Sequence, residues 1–192
     1  MGRYGGFAAV AAGVLAVSLL NGCGVKGGPK ALLDETTETM TVTSPMVDQR
    51  VMSSQYTCDG TRQSPPIFWS GMPPGTKSLA LVVDDAAAPI TPRVYWIVFD
   101  ISPVTTDLQA GAADQQAGSA LPSGARQARN STGRVGYDPP CPPAGGSHRY
   151  RFTVYALSAM LDLPDGVAMK AAWVAIAPLV IARGRLTVTA PS

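Results

Sequence analysis

The run Val94–Ile101 (VYWIVFDI) sets the strongest constraint on how this chain can fold. It is dense in β-branched and aromatic residues, which suit a pleated, buried strand and lose rotamer freedom in a helix. Ser78–Val83 (SLALVV) follows the turn sequence Pro73-Pro74-Gly75-Thr76 and reads as another buried strand. Arg149–Leu157 alternates polar and apolar positions, the period-two pattern of a strand with one polar face. Met40–Val47 is a candidate first strand, and Leu186–Thr189 a candidate closing one. With 20 Gly, 17 Pro and only 15% charged residues, the composition suits a loop-rich, strand-rich domain better than a helical bundle. One helix is expected, over Val167–Arg183, with Gly184 after it and a kink or break at Pro178. Asp107–Arg134, rich in Gly, Ala, Gln and Ser, reads as a long connection that is functional or ordered by its own packing.

The N-terminus decides where that domain folds. Arg3 supplies a small positive region, and Phe7–Leu20 (FAAVAAGVLAVSLL) is apolar and uncharged. The run is too short for a bilayer core, which takes about 20 apolar residues, and has the dimensions of a signal peptide. Leu19-Leu20-Asn21-Gly22-Cys23 then resembles the lipobox of bacterial lipoproteins. That resemblance implies a thioether-linked diacylglycerol on Cys23, with palmitate-type acyl chains, and cleavage that makes Cys23 the first residue. An ordinary secretory signal with an incidental Cys23 is the plainer alternative. Two or more acyl chains, at roughly 0.8 kcal/mol per buried CH₂, anchor stably where one does not. The expected layout is therefore a signal peptide over 1–22, a lipidated flexible tether over 23–39 and one domain over 40–192, on the extracytoplasmic face of the cell membrane. The formal net charge is +2 with no Lys/Arg cluster, which gives no reason to expect nucleic acid as a partner.

Two cysteines remain after Cys23. In an oxidising, exported setting Cys58 and Cys141 are a candidate disulfide; two buried thiols that never meet are the alternative.

Three segments in order carry a family resemblance. Tyr56-Thr57-Cys58-Asp59-Gly60 leads into Ser64-Pro65-Pro66 and Trp69. Val83-Asp84-Asp85-Ala86-Ala87-Ala88-Pro89 leads into Tyr95-Trp96. Gly136-Tyr137-Asp138-Pro139-Pro140-Cys141-Pro142-Pro143 leads into Ser147-His148-Arg149-Tyr150-Arg151-Phe152. Over about Met40–Thr189 the chain resembles the phosphatidylethanolamine-binding protein family, in its bacterial Raf-kinase-inhibitor-like branch. The resemblance implies a β-sandwich with a C-terminal helix and a small pocket for phosphate-like headgroups and anions near one end. Carried over residue by residue, Asp85 and Pro89 fall on the acidic turn, Pro142 and Pro143 on the Pro-rich loop, and His148 and Tyr150 on the pocket strand. Two positions depart: Ala87 replaces a second turn carboxylate, and Tyr95 stands where the family has a pocket histidine. Ala177-Pro178 also replaces a Gly-His pair common in this branch. The departures imply a pocket that is narrower, differently selective or no longer used.

Read without the family, His148 is the chain's only histidine and can be a hydrogen-bonded structural residue as readily as a ligand group. Asp85 can orient it or stabilise a turn. His148 and Tyr150, two apart in a strand, share a face. Arg149 and Arg151 share the opposite one, read as a solvated stripe. Trp69 and Trp96 read as core.

No Gly-x-Ser-x-Gly elbow and no metal-ligand spacing of His and Cys is present, so neither hydrolysis, nor a metal, nor a cofactor is expected. The leading expectation is a non-catalytic module, tethered to the membrane through lipid on Cys23, that binds a small anion or a phospholipid headgroup. The alternative is a protein-binding inhibitor or regulatory module, of the protease- or kinase-inhibitor kind, with a protein partner.

Overall fold

The computed structural model describes residues 1–2, 36–48, 50–86, 93–114, 120–142, 146 and 148–190. Among the described residues there are ten strands: β1 (Thr41–Thr43), β2 (Val47–Asp48), β3 (Val51–Met52), β4 (Ile67–Ser70), β5 (Ser78–Asp85), β6 (Val94–Ile101), β7 (Asp107–Leu108), β8 (Arg126–Gln127), β9 (His148–Leu157) and β10 (Val180–Ala190). Among the described residues one α-helix, α1, spans Met169–Ile176. A large sheet runs β2-β3-β10-β9-β5-β6-β8, and a small one runs β1-β4-β7.

The two sheets enclose the main core. Val42, Ile67, Trp69 and Leu108 of the small sheet meet Leu79, Leu81, Val83, Trp96, Val98, Phe152, Val154 and Val188 of the large one. Burying side chains of this size contributes about 1.5–3 kcal/mol each. On the other face of the large sheet, Ala172 and Ile176 of α1 cover Val82, Ile97, Phe99, Tyr155 and Leu157. β5 and β6 are buried at every residue because they lie between these two layers, which explains their near-continuous apolar runs. The mostly-β sandwich with one helix near the C-terminus is as expected from the sequence. The indole Nε1 of Trp69 donates to the Thr105 carbonyl at 2.9 Å, and that of Trp96 donates to Gln127 Oε1 at 2.6 Å.

Four boundaries differ from the sequence reading. The helix is half the expected length: Ala177–Leu179 forms a 3₁₀ turn containing Pro178, and the chain enters β10 at Val180. Pro178 cannot donate to the helical ladder, and the residues after it pair with β9 along its whole length. The closing strand is correspondingly longer than Leu186–Thr189. The candidate first strand divides at Ser44–Met46 into β1 of the small sheet and β2 of the large one. The 107–134 connection contributes β7 and β8, one to each sheet edge.

β6 carries two bulges against β5. One lies between the pairs Leu79↔Ile101 and Leu81↔Val98, where Asp100 adopts a left-handed φ of 54°. Its buried carboxylate accepts the backbone N–H groups of Leu161 at 2.7 Å and Asp162 at 3.1 Å. The other lies between Val83↔Trp96 and Asp84↔Val94. This second bulge adds Tyr95 to β6, so Tyr95 and Trp96 both face the main core while Val94 and Ile97 face α1.

Candidate functional site

The site forms where β9 begins, β5 ends and β6 begins. Asp85 is paired with Tyr150 in the β5–β9 ladder, and the Asp85 N–H donates to the Arg93 carbonyl at 2.9 Å. Just beyond, the Ala86 N–H donates to the Arg149 carbonyl at 2.8 Å. These bonds hold the three strand ends in one plane.

His148 Nδ1 lies 2.7 Å from Asp85 Oδ2. An ionised carboxylate can only accept, so this contact places the Nδ1 proton on the imidazole and points it at Asp85. Asp85 is buried, whereas the His148 side chain is 35% exposed. The opposite ring nitrogen, Nε2, meets no protein partner among the described residues. Below the imidazole, the Tyr150 ring stacks at 6.4 Å and 22°. Tyr95 meets Tyr150 edge-on at 5.4 Å and 82°. The bulge at Tyr95 is what brings it there; regular alternation would send Tyr95 and Trp96 to opposite faces.

Both tyrosine hydroxyls are held neutral. Burial raises Tyr150 well above the ordinary phenol range, and Tyr95 and Asp85 push the same way against an opposing Arg93. Burial likewise raises Tyr95, again opposed by Arg93, and the two hydroxyls share a hydrogen bond. They therefore remain proton donors far above neutral pH.

Two residue sets had no part in the sequence-based site. Arg93 lies 5.0 Å above the Tyr95 ring and reaches Asp138 at 3.4 Å. Arg134 holds the other oxygen of the Asp138 carboxylate. Arg93, two residues before Tyr95, shares its face, so its place follows only once the bulge has set that of Tyr95. Tyr137 packs edge-on against Trp96 and donates to the Tyr56 carbonyl at 2.9 Å.

Cys58 and Cys141 are joined in a disulfide with Cα atoms 5.2 Å apart. The Cys58 N–H also donates to the Pro140 carbonyl at 2.9 Å. Pro142, next in the chain, is partly buried and contributes no hydrogen bond or ring contact to the site. Pro89, Pro143 and Cys23, together with Ala87, lie outside the described residues. The stripe expected of Arg149 and Arg151 is only half solvated. Arg149 is exposed, but Arg151 grips Asp84 with both Nε and Nη2 and is 15% exposed. The cause is strand parity: Asp84 pairs with Arg151 across the ladder, so a carboxylate sits opposite the guanidinium.

The sequence model of the phosphatidylethanolamine-binding protein family matches residues 42–190, which takes in both sheets, α1 and every described site residue. The chain belongs to that family. Its relatives include a protein of Mycobacterium tuberculosis H37Rv named "Putative lipoprotein LppC", 41% identical over 195 aligned residues that cover 93% of this chain and 92% of the relative. A "UPF0098 protein" of Methanothermobacter thermautotrophicus is 44% identical over 121 residues, 63% of this chain and 78% of its own. Among solved structures, Escherichia coli YbcL, described as a member of the mammalian PEBP family, is similar with a TM-score of 0.73 and 30% identity. The similarity covers 80% of this chain and 99% of that one. As a phosphatidylethanolamine-binding protein family member, the chain has a tyrosine, Tyr95, seated by a β-bulge against Tyr150.

Proposed function

We propose that this chain is a lipid-anchored, extracytoplasmic binding module that takes a small phosphate-bearing or other anionic ligand beside His148. The observation that carries the reading is the Asp85–His148 pair, whose Nε2 has no partner among the described residues and which is backed by the Tyr150–Tyr95 hydroxyls. Asp85 fixes the imidazole through Nδ1, and a proton carried on Nε2 would be donated to an anion at the mouth. The family's name, which specifies a phosphate-bearing headgroup, supports that ligand class. Binding is favoured over catalysis because Nε2 meets no serine, threonine or cysteine that it could activate among the described residues. The anchor is supported by the apolar run before Cys23 and by a relative of nearly the same length whose name calls it a lipoprotein.

Calorimetric titration with inorganic phosphate and phosphoethanolamine tests the ligand. Wild type is expected to bind both, and His148→Ala to lose binding while keeping its melting curve. Equal binding by His148→Ala overturns the site. Labelled fatty acid is expected to incorporate into wild type and not into Cys23→Ala; incorporation into both removes the anchor at Cys23.

A further inference from the structure

The charge balance around His148 is incomplete as an anion site. Even a protonated His148 would carry no net charge together with the Asp85 carboxylate at 2.7 Å, and a neutral pair has little net attraction for a phosphate. A further positive charge is needed, and the sheet provides one two strands away. His148 begins β9, Asp85 ends β5, and Arg93 lies directly opposite Asp85 at the start of β6. Neighbouring strands are about 4.8 Å apart, and His148 lies two residues beyond Tyr150, the ladder partner of Asp85, so His148 and Arg93 stand on either side of Asp85 with a gap of about 12 Å between their backbones. That gap suits a phosphate held on both sides by charge-assisted bonds of about 2.8 Å each, with the long arginine side chain closing the remainder.

Arg93 is held in a way that lets it move. Its side chain is 52% exposed, its contact with Asp138 is long at 3.4 Å, and its guanidinium rests on the Tyr95 ring. Half-exposed ion pairs and cation–π contacts of this kind are weak. Asp138, which is largely buried, would ordinarily suffer from losing a cation. Here Arg134 already holds its other oxygen, so Arg93 can leave without stranding the carboxylate. The charge of Arg93 is also felt at both tyrosine hydroxyls, where it opposes the upward push of burial.

We propose that Arg93 is the second ligand-binding cation of this site. In this assignment it swings from Asp138 onto a phosphate held at His148 and selects phosphate over carboxylate monoanions. The inference rests on the anion-binding reading of the His148 site. A guanidinium presents a planar fork that pairs with two phosphate oxygens at once, and a doubly charged phosphate gains from both cations. An acetate-sized monoanion is too short to bridge both cations, so it is held only weakly at His148 and gains little from Arg93.

The experiment is calorimetric titration of full-length protein in detergent with inorganic phosphate and, separately, with acetate at neutral pH. Arg93→Gln is expected to lower phosphate affinity about 10- to 100-fold, the worth of one hydrogen-bonded charge, and to leave acetate affinity nearly unchanged. Arg93→Lys should recover part of the loss, because it restores charge without the fork, and all variants should melt like wild type. Asp138→Asn, which releases Arg93, should bind phosphate at least as tightly as wild type. Undiminished phosphate affinity in Arg93→Gln, with His148→Ala still defective, overturns the role of Arg93 and spares the site. An equal loss of phosphate and acetate in Arg93→Gln overturns the selectivity. Absence of phosphate binding by wild type overturns both readings together.

Discussion

The Cys58–Cys141 bridge closes a long loop, and its worth can be worked from the structure. The two residues are 83 apart in sequence. Chain-entropy treatment of a loop that long gives about 15 cal/mol/K of denatured-state entropy removed, or about 4.5 kcal/mol at 25 °C. Two other contacts fasten the same segments, the Cys58 N–H to the Pro140 carbonyl and the Tyr137 hydroxyl to the Tyr56 carbonyl. Both survive loss of the sulfurs, so the folded state should keep its shape and the effect should fall on the unfolded chain. A domain of about 150 residues unfolds with an entropy of about 0.3 kcal/mol/K near its midpoint, so 4.5 kcal/mol corresponds to a drop of about 14 °C in Tm. The perturbation is the double variant Cys58→Ser/Cys141→Ser, which avoids leaving a lone thiol. The assay is urea unfolding of both proteins under non-reducing conditions, with Tm by calorimetry. The urea m-value should rise slightly, because the uncrosslinked chain exposes more surface. A loss below about 1 kcal/mol would refute the reasoning, showing that the unfolded chain is already confined or that the bridge strains the native state.

Other perturbations follow from single features. Asp100→Ala removes the acceptor of the Leu161 and Asp162 N–H groups at the β6 bulge and should cost about 2–4 kcal/mol in urea unfolding; Asp100→Asn should cost less, and equal costs would remove the acceptor argument. Arg151→Gln should destabilise by about 3 kcal/mol by leaving the largely buried Asp84 carboxylate alone, and adding Asp84→Asn should restore most of that in a double-mutant cycle; additive losses would mean the pair is not coupled. Tyr95, Tyr137 and Tyr150 all have raised hydroxyl pKa values, chiefly from burial, so the folded protein keeps protons that the unfolded chain releases. Stability should be flat below the unfolded-state tyrosine pKa of about 10 and fall above it, by about 1.4 kcal/mol per pH unit for each tyrosine; a stability curve level through pH 11, or so, would exclude their burial as neutral phenols.

How much of this fold could be read from residues depends on how each strand is buried. β5 and β6 announce themselves because layers on both faces demand apolar side chains at every position. β9 shows its period of two because its outer face carries arginines. β10 has the same period, with Ala182, Gly184, Leu186, Val188 and Ala190 on one face and Arg183, Arg185, Thr187 and Thr189 on the other. It was obscured where it follows the helix, since Trp173–Ile181 is apolar without a clear period and only Pro178 marks the change. Gly184 is fixed by tertiary contact and not by local preference: a Cβ there would come within 2.5 Å of the Met40 carbonyl oxygen.

The site divides along a similar line. His148, Tyr150 and Asp85 follow from strand parity and from a turn at the end of the neighbouring strand, both of which are local properties. Tyr95 does not, because its facing depends on one extra residue in β6, and nothing in VYWIVFDI announces a bulge between Val94 and Trp96. Arg93 inherits that difficulty: whether it faces the site depends on whether Tyr95 does. Its partner Asp138 lies 45 residues further on, and the second claim on that carboxylate comes from Arg134. The groups local in sequence, His148 and Asp85 with their neighbouring strand ends, supply no net positive charge whether or not the imidazole is protonated. The excess positive charge that an anion would feel comes from the Arg93–Asp138–Arg134 cluster, assembled only by the β5–β6 register and the 134–138 segment packed beside it.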